Sequence, residues 1–253
     1  MVQQILDTTQ PIDWDALIPQ DEWDLYKPVI DNLRAKGVRF ALGGGLAFSE
    51  YAHRIRNTKD LDLYVLPWEK EAAIAALLEA GFSDYFDEKP YDRSWIFRGH
   101  QGHVIVDLIW TAPNHRVQVD PRWVSRGRDV IIHGCRLKLI PPEELIWAKL
   151  FVVQRDRNDW TDLLNILDTV GPMMDWRHLL DRVGVDAALL GGLLSVYRWL
   201  SPDKSKRLPP WVWEKVGLCF DVQHPTEEDS AKRAALLDSR DWFGPKETLD
   251  VAS

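Results

Sequence analysis

The 253-residue chain has 31 Lys and Arg against 39 Asp and Glu, a formal net charge of −8, which disfavours generic binding to nucleic acid and leaves only a local basic patch to recruit RNA. Its 45% hydrophobic and 28% charged residues, with no apolar run near the roughly 18 residues a membrane helix needs, predict a soluble globular protein and no membrane partner. Two cysteines, Cys135 and Cys219, are too few for a zinc cluster or a disulfide framework, and residues 1–10 lack the basic start and apolar stretch of a secretory signal, so a reducing cytoplasm is the expected compartment.

In chain order, residues 1–19 are a loose lead-in broken by Pro11 and Pro19. Asp21 is expected to cap a helix over 21–36, with Leu25, Val29 and Leu33 at helical spacing and Gly37 as its stop. Val38-Arg39-Phe40-Ala41-Leu42 then reads as a short apolar strand, Gly43-Gly44-Gly45 as a turn, and 46–53 as a helix. Asp60-Leu61-Asp62-Leu63-Tyr64-Val65-Leu66 is a second strand carrying two acids. Side chains alternate along a strand, so Asp60 and Asp62 share one face while Leu61, Leu63 and Val65 pack on the core. Adjacent carboxylates repel, and burying them unpaired is costly. A divalent cation such as Mg²⁺, bound by carboxylates and substrate phosphates, removes both problems. The glycines let backbone N–H groups approach a phosphate where a helix begins. The alternative is an edge strand whose acids are simply solvated.

Residues 67–80 predict a helix ended by Gly81, and 82–90 a loop or short strand. A hairpin is expected from strands at 92–98 and 103–109, turning through Gly99-His100-Gln101-Gly102, with His100 and His103 as turn residues. Its second strand holds a lone acid, Asp107, which needs a partner. A metal shared with Asp60 and Asp62 would be one, and three acids suffice for two metals. After a loop at 113–121 comes a second hairpin over 126–139 about His133-Gly134. Arg122, Arg126, Arg128, Arg136 and Lys138 gather there, either as a solvated face or as an acceptor-binding patch. Pro141-Pro142 opens a helix carrying Lys149. Residues 179–200 read as an apolar helix in which Gly191-Gly192 permit close packing, 201–210 as a linker, and the tail from Trp211 contributes several of the 13 tryptophans.

The ordered set of a glycine turn, Arg56-x-Thr58-x-Asp60-Leu61-Asp62-Leu63 and a later strand with Asp107 resembles the nucleotidyltransferase superfamily (polymerase-beta-like fold), in particular its minimal and abortive-infection-toxin-type members. The likeness covers about 38–110 and, more loosely, 140–167. It implies that Gly44 and Gly45 hold the triphosphate of an NTP substrate and that Asp60, Asp62 and Asp107 bind Mg²⁺. Asp107 would also help to deprotonate the acceptor, and Arg56 and Thr58 would orient the acidic strand or touch phosphate. Many members have Ser after the first Gly. Here the run Gly43-Gly44-Gly45 allows registration on either glycine pair. The segment Arg157-Asn158-Asp159-Trp160-Thr161-Asp162 after Lys149 resembles one in the toxin-type relatives. Lys149 would then reach the nucleotide phosphates; the other reading is a helix pair held by ion pairs such as Lys149 with Asp159.

The expected fold class is α/β (α+β): a mixed-sheet nucleotidyltransferase core over 1–112 with its N-terminal helix, then a β-hairpin extension and helical C-terminal region over 113–253. The expected function is Mg²⁺-dependent transfer of a nucleoside monophosphate from an NTP to RNA, protein or a small molecule, with release of pyrophosphate. An antitoxin or other partner protein belongs to the same expectation. The alternative is a non-catalytic nucleotide-sensing or partner-binding module.

Overall fold

Two short strands, one six-residue strand and one hairpin form the sheet on which the acidic residues stand. In a computed structural model, residues 12–55, 58, 60–153 and 157–218 are described, and they divide into two compact units between Ala148 and Lys149. The first unit begins with α1 (Trp14–Leu17) and α2 (Gln20–Ala35). β1 (Phe40–Leu42), α3 (Gly44–Ala52), β2 (Asp60–Val65), α4 (Lys70–Glu79), β3 (Ser83–Asp84), β4 (Ile96–Gln101) and β5 (Val104–Ile109) follow. The five strands pair in the order β1-β2-β5-β4-β3, with β2 and β5 parallel and the other pairs antiparallel. The sheet is therefore mixed, as the sequence predicts.

One face of the sheet is the core. Leu61, Leu63 and Val65 of β2, Val106 and Leu108 of β5 and Phe97 of β4 are buried with Val29, Ile30 and Leu33 of α2 and Ala73, Ala76 and Leu77 of α4. Burial of this apolar area is the main source of the unit's stability. Asn32 Nδ2 ties α2 to α4 by donating to the carbonyl of Ala76 at 3.1 Å.

Two expected boundaries change for local reasons. Asp21 does not cap α2: Pro19 occupies the cap position without a side-chain bond, and Asp21 and Glu22 lie in the first turn, where their charge favours the helix N-terminus. At the other end Gly37, at φ +69°, closes the helix. The Val38 and Gly37 N–H groups donate to the carbonyls of Leu33 and Arg34 at 2.9 and 3.0 Å, the paired bonds of a Schellman cap. The β4–β5 hairpin does not turn through residues 99–102. β4 continues to Gln101, which pairs with Val104, so the loop is Gly102-His103 with Gly102 at φ +60°, the two-residue form that matches strand twist. Gly99 and His100 are strand residues. Gly99 lies under α4, where a β-carbon would come 2.7 Å from Leu77 Cδ2.

The unit ends with α5 (Pro121–Ser125), the hairpin of β6 (Asp129–Ile132) and β7 (Cys135–Lys138), and α6 (Pro142–Leu150), whose last two residues cross the boundary. The second hairpin turns at His133-Gly134 as expected. The sequence reading divided the chain after residue 112, whereas the contacts divide it after Ala148. The reason is that the segment after β7 docks on the sheet: Ile140 N–H donates to the Leu42 carbonyl at 2.8 Å, and Tyr51 Oη donates to the Ile140 carbonyl at 2.7 Å.

The second unit is helical: α7 (Trp160–Val170), α8 (Trp176–Val183), α9 (Ala187–Leu200), α10 (Pro202–Ser205) and α11 (Pro210–Lys215). The expected single helix over 179–200 is two helices, parted at Gly184 with φ +55°. The expected linker over 201–210 contains the one-turn helix α10. Gly191 packs closely, as predicted: a β-carbon there would lie 2.9 Å from the Val216 carbonyl oxygen. Most of the Trp-bearing tail, with Cys219, lies outside the described residues. Among the described residues no helix is long and apolar enough to cross a membrane.

Candidate catalytic centre

The register of the sheet aligns four residues in one row across four adjacent chain segments. The Gly43 N–H donates to the Asp62 carbonyl at 2.9 Å. Asp62 is the Cα partner of Asp107 across the parallel β2–β5 ladder, and Asp107 is the Cα partner of Arg98 across β4–β5. Residues level with one another on neighbouring strands project to the same face. Asp62, Asp107 and Arg98 therefore stand together on the face opposite the core. Asp60, two residues before Asp62, joins them because strand side chains repeat every second residue. One carboxylate oxygen from each of Asp60, Asp62 and Asp107 lies within 4.8 Å of the other two.

Their environments differ. Asp107 is only 2% exposed, whereas Asp60 and Asp62 are half-buried. Burial pushes the Asp107 carboxyl above its ordinary value, and Arg98 opposes that shift. Arg98 grips Asp107 with two parallel bonds, Nε to Oδ1 at 2.8 Å and Nη2 to Oδ2 at 2.6 Å. Nη2 also lies 3.5 Å from Oδ2 of Asp60. The guanidinium carbon sits 5.9 Å from the ring centre of Tyr85. The Arg98 N–H donates to Tyr91 Oη at 2.9 Å, which locks the strand behind the side chain.

The glycine turn leans directly on the acids. Gly43 caps α3, which starts at Gly44, so first-turn amides of α3 are presented beside the carboxylate row. Three different neighbours exclude side chains here. A β-carbon on Gly43 would fall 2.1 Å from the Tyr64 ring, one on Gly44 1.6 Å from Asp62 Oδ2, and one on Gly45 2.8 Å from Thr58 Cβ. Thr58 Oγ1 lies 2.9 Å from the Asp60 carbonyl, to which it donates, and 3.3 Å from Asp60 Oδ1. It thereby holds the start of β2.

Seven of the expected site residues thus meet on one side of the first unit: Gly43, Gly44, Gly45, Thr58, Asp60, Asp62 and Asp107. Arg56 lies outside the described residues. Lys149 belongs to the second unit, where its Nζ lies 2.7 Å from Asp159 Oδ2 and 2.8 Å from Asp162 Oδ2. Arg157 also bonds Asp159, at 3.1 Å through both Nε and Nη2. Burial works to raise the Asp159 carboxyl, but the bonds from Arg157 and the charge of Lys149 outweigh it and hold the group below its ordinary value. In the basic segment, Arg128 pairs with Glu50 at 2.9 Å and Lys138 with Asp129 at 2.7 Å.

Arg98 is the site residue that the sequence reading missed. A turn at 99–102 would set Arg98 opposite His103; the observed loop, centred two residues later, sets it opposite Asp107. The available signal was the two-residue loop option at Gly102, which pairs 98 with 107. The chemistry of the cluster suits a hard divalent ion: three carboxylates from two strands converge on one point, beside a backbone turn shaped to exclude side chains.

Residues 23–183 match the model of the family described as "Nucleotidyl transferase of unknown function (DUF2204)". No match was found among the curated proteins. Among solved structures, an antigenic nucleotidyltransferase-like protein from Paracoccidioides brasiliensis is similar at 17% identity, over 78% of this chain and 99% of its own, with a TM-score of 0.44. ANT(2″)-Ia in complex with adenylyl-2″-tobramycin is similar at 15% identity, over 70% of this chain and 99% of its own, with a TM-score of 0.42. The lincosamide antibiotic adenylyltransferase LnuA, bound to lincomycin, is similar at 14% identity, over 59% and 96%, with a TM-score of 0.39.

Proposed function

This chain belongs to the nucleotidyl transferase family matched over residues 23–183, and from that premise we propose that it moves a nucleoside monophosphate from an NTP to an acceptor hydroxyl, with Mg²⁺ and release of pyrophosphate. The observation that carries this reading is the convergence of Asp60, Asp62 and Asp107 within 4.8 Å beside the glycine turn. In the proposed reaction the acceptor oxygen bonds to the α-phosphorus, the bond from that phosphorus to the bridging oxygen breaks, and pyrophosphate leaves with its electron pair. Mg²⁺, when bound, would neutralise charge on the phosphates and the leaving group.

The protein's part is positioning and electrostatics rather than covalent chemistry. Asp60, Asp62 and Asp107 would hold the ion. Gly43, Gly44 and Gly45 would bring backbone N–H groups to the triphosphate. Asp107 would take the proton of the acceptor. Thr58 would keep Asp60 oriented, and Arg56 would meet phosphate. For Lys149, the two carboxylates it already holds support the ion-pair role over direct phosphate contact.

A formal net charge of −8 favours a protein or small-molecule acceptor over RNA, because like charge slows and weakens encounter with a polyanion. The deciding experiment supplies each of the four α-labelled NTPs with Mg²⁺ to wild type and Asp62→Asn, alone and with cell extract split into protein, RNA and small-molecule fractions. Label transferred to one fraction by wild type only, with pyrophosphate released, is the expected result. Metal-dependent nucleotide binding with no labelled product in any fraction would overturn transfer in favour of a nucleotide-binding module.

A further inference from the structure

The row that joins Asp62 to Asp107 does not stop at the acids; it continues to Arg98 on β4. Arg98 contacts two of the three carboxylates, and they come from different strands: both oxygens of Asp107 at 2.8 and 2.6 Å, and Oδ2 of Asp60 at 3.5 Å. Those are carboxylates of the same cluster that suits a divalent ion. A guanidinium and a divalent cation cannot both sit closely on one carboxylate pair without strong mutual repulsion, and the oxygens of Asp107 are both already engaged.

The two partners differ in freedom. Asp107 is 2% exposed and belongs to the central strand β5, so it cannot follow a departing partner. The Arg98 side chain is 34% exposed on a long flexible stem, so it can turn away without opening the core. We propose that Arg98 is a positioning residue that competes with the divalent ion: it holds Asp107 and Asp60 in register, and it must release Asp107 for the acids to ligate the ion fully. Arg98 thereby sets the ion's affinity. This rests on the nucleotidyl-transfer reading of the three acids.

The test titrates Mn²⁺ alone, without nucleotide, into wild type, Arg98→Ala, Arg98→Lys and Asp62→Asn, by the loss of the free-ion EPR signal. Thermal melts are recorded with and without Mn²⁺. The dissociation constant should fall about 10-fold or more in Arg98→Ala, because the unit positive charge that repels the ion at the carboxylates is gone. Arg98→Lys should lie between, since an ammonium keeps the charge but loses the fork. Without Mn²⁺, Arg98→Ala should melt below wild type, because Asp107 has lost its counter-charge; saturating Mn²⁺ should raise its Tm by more than it raises that of wild type. A purely structural arginine would lower Tm without tightening Mn²⁺.

Unchanged or weaker Mn²⁺ binding in Arg98→Ala overturns the proposal. If that variant does not fold, an unchanged constant in Arg98→Lys overturns it equally. Binding that Asp62→Asn abolishes, but that neither Arg98 variant alters, defeats the proposal and leaves the nucleotidyl-transfer reading standing. Mn²⁺ binding to none of the four proteins defeats the proposal; labelled product from wild type in the transfer assay then leaves the nucleotidyl-transfer reading standing, and its absence defeats that reading too. Tightened binding in the Arg98 variants, with no labelled product from wild type in the transfer assay, supports the proposal and defeats only the transfer reading.

Discussion

Gly44 faces Asp62 so closely that a β-carbon on the glycine would lie 1.6 Å from the carboxylate's Oδ2. The turn and the acidic strand are thus built as one object, and neither can change without moving the other. Gly44 also sits at φ +49°, a conformation that costs an L-residue about 1–2 kcal/mol. Gly44→Ala is expected to lose at least that much stability in urea melts. It should also lower NMP transfer by about 10²-fold, the scale on which a displacement of about 1 Å at a reacting centre is felt. Wild-type rates in Gly44→Ala would show that Asp62 does not need its present position.

Asp62 and Asp60 are half-buried and stand opposite the core, so removing their charge should leave the fold intact. Asp60→Asn and Asp62→Asn should each lower transfer by about 10²–10³-fold, the usual cost of losing one preorganised electrostatic contact. Circular dichroism and Tm should stay near wild type. Labelled-NTP turnover checks the first expectation and thermal melts the second.

Lys149, Asp159 and Asp162 form an ion cluster in which the side chains are 12%, 8% and 14% exposed. Removing the lysine leaves two nearly buried carboxylates with less counter-charge. Lys149→Met should therefore destabilise the second unit by about 3 kcal/mol. The triple variant with Asp159→Asn and Asp162→Asn should recover part of that loss. Chemical denaturation measures both. The KM for NTP should not change at temperatures where the variant is folded; a selective rise in KM would assign Lys149 to the nucleotide.

Asp159 gives the second unit a pH dependence whose sign follows from its partners. Its carboxyl is held below the ordinary 3.8 when folded, so near and below that value the unfolded chain binds more protons than the folded one. The stability from this group is fully present above about 3.8 and is lost as pH falls through the lower folded value. Tm recorded between about pH 2 and 7 should fall less steeply on the acid side for Asp159→Asn than for wild type. Superimposable acid limbs would remove Asp159 from the linkage.

The sequence reading reached the parts of this site whose geometry is local. Strand alternation alone places Asp60 and Asp62 on one face, and a glycine run between a strand and a helix marks a close backbone approach. It missed what depends on pairing. The β4–β5 loop was expected at 99–102, as Gly99 and Gly102 both carry turn chemistry. In the fold Gly102 takes the turn at φ +60°, and Gly99 lies in β4 under Leu77 of α4, where a β-carbon would come 2.7 Å from Leu77 Cδ2. That turn moved the register and brought Arg98 to Asp107. In the same way, the segment after β7 joined the first unit through two hydrogen bonds to the sheet and α3 that no spacing in the chain announces.

By itself, then, the sequence determined a strand, a glycine turn, a helix and a strand with two acids on one side, because these follow from periods of two and 3.6 residues and from the backbone freedom of glycine. Only the tertiary structure decided that Asp107 stands level with Asp62, that Arg98 rather than solvent neutralises it, and that Lys149 has two carboxylate partners. Each of those is a contact between residues whose separation in space is set by strand register or helix docking, and register is a property of the assembled sheet rather than of either strand alone.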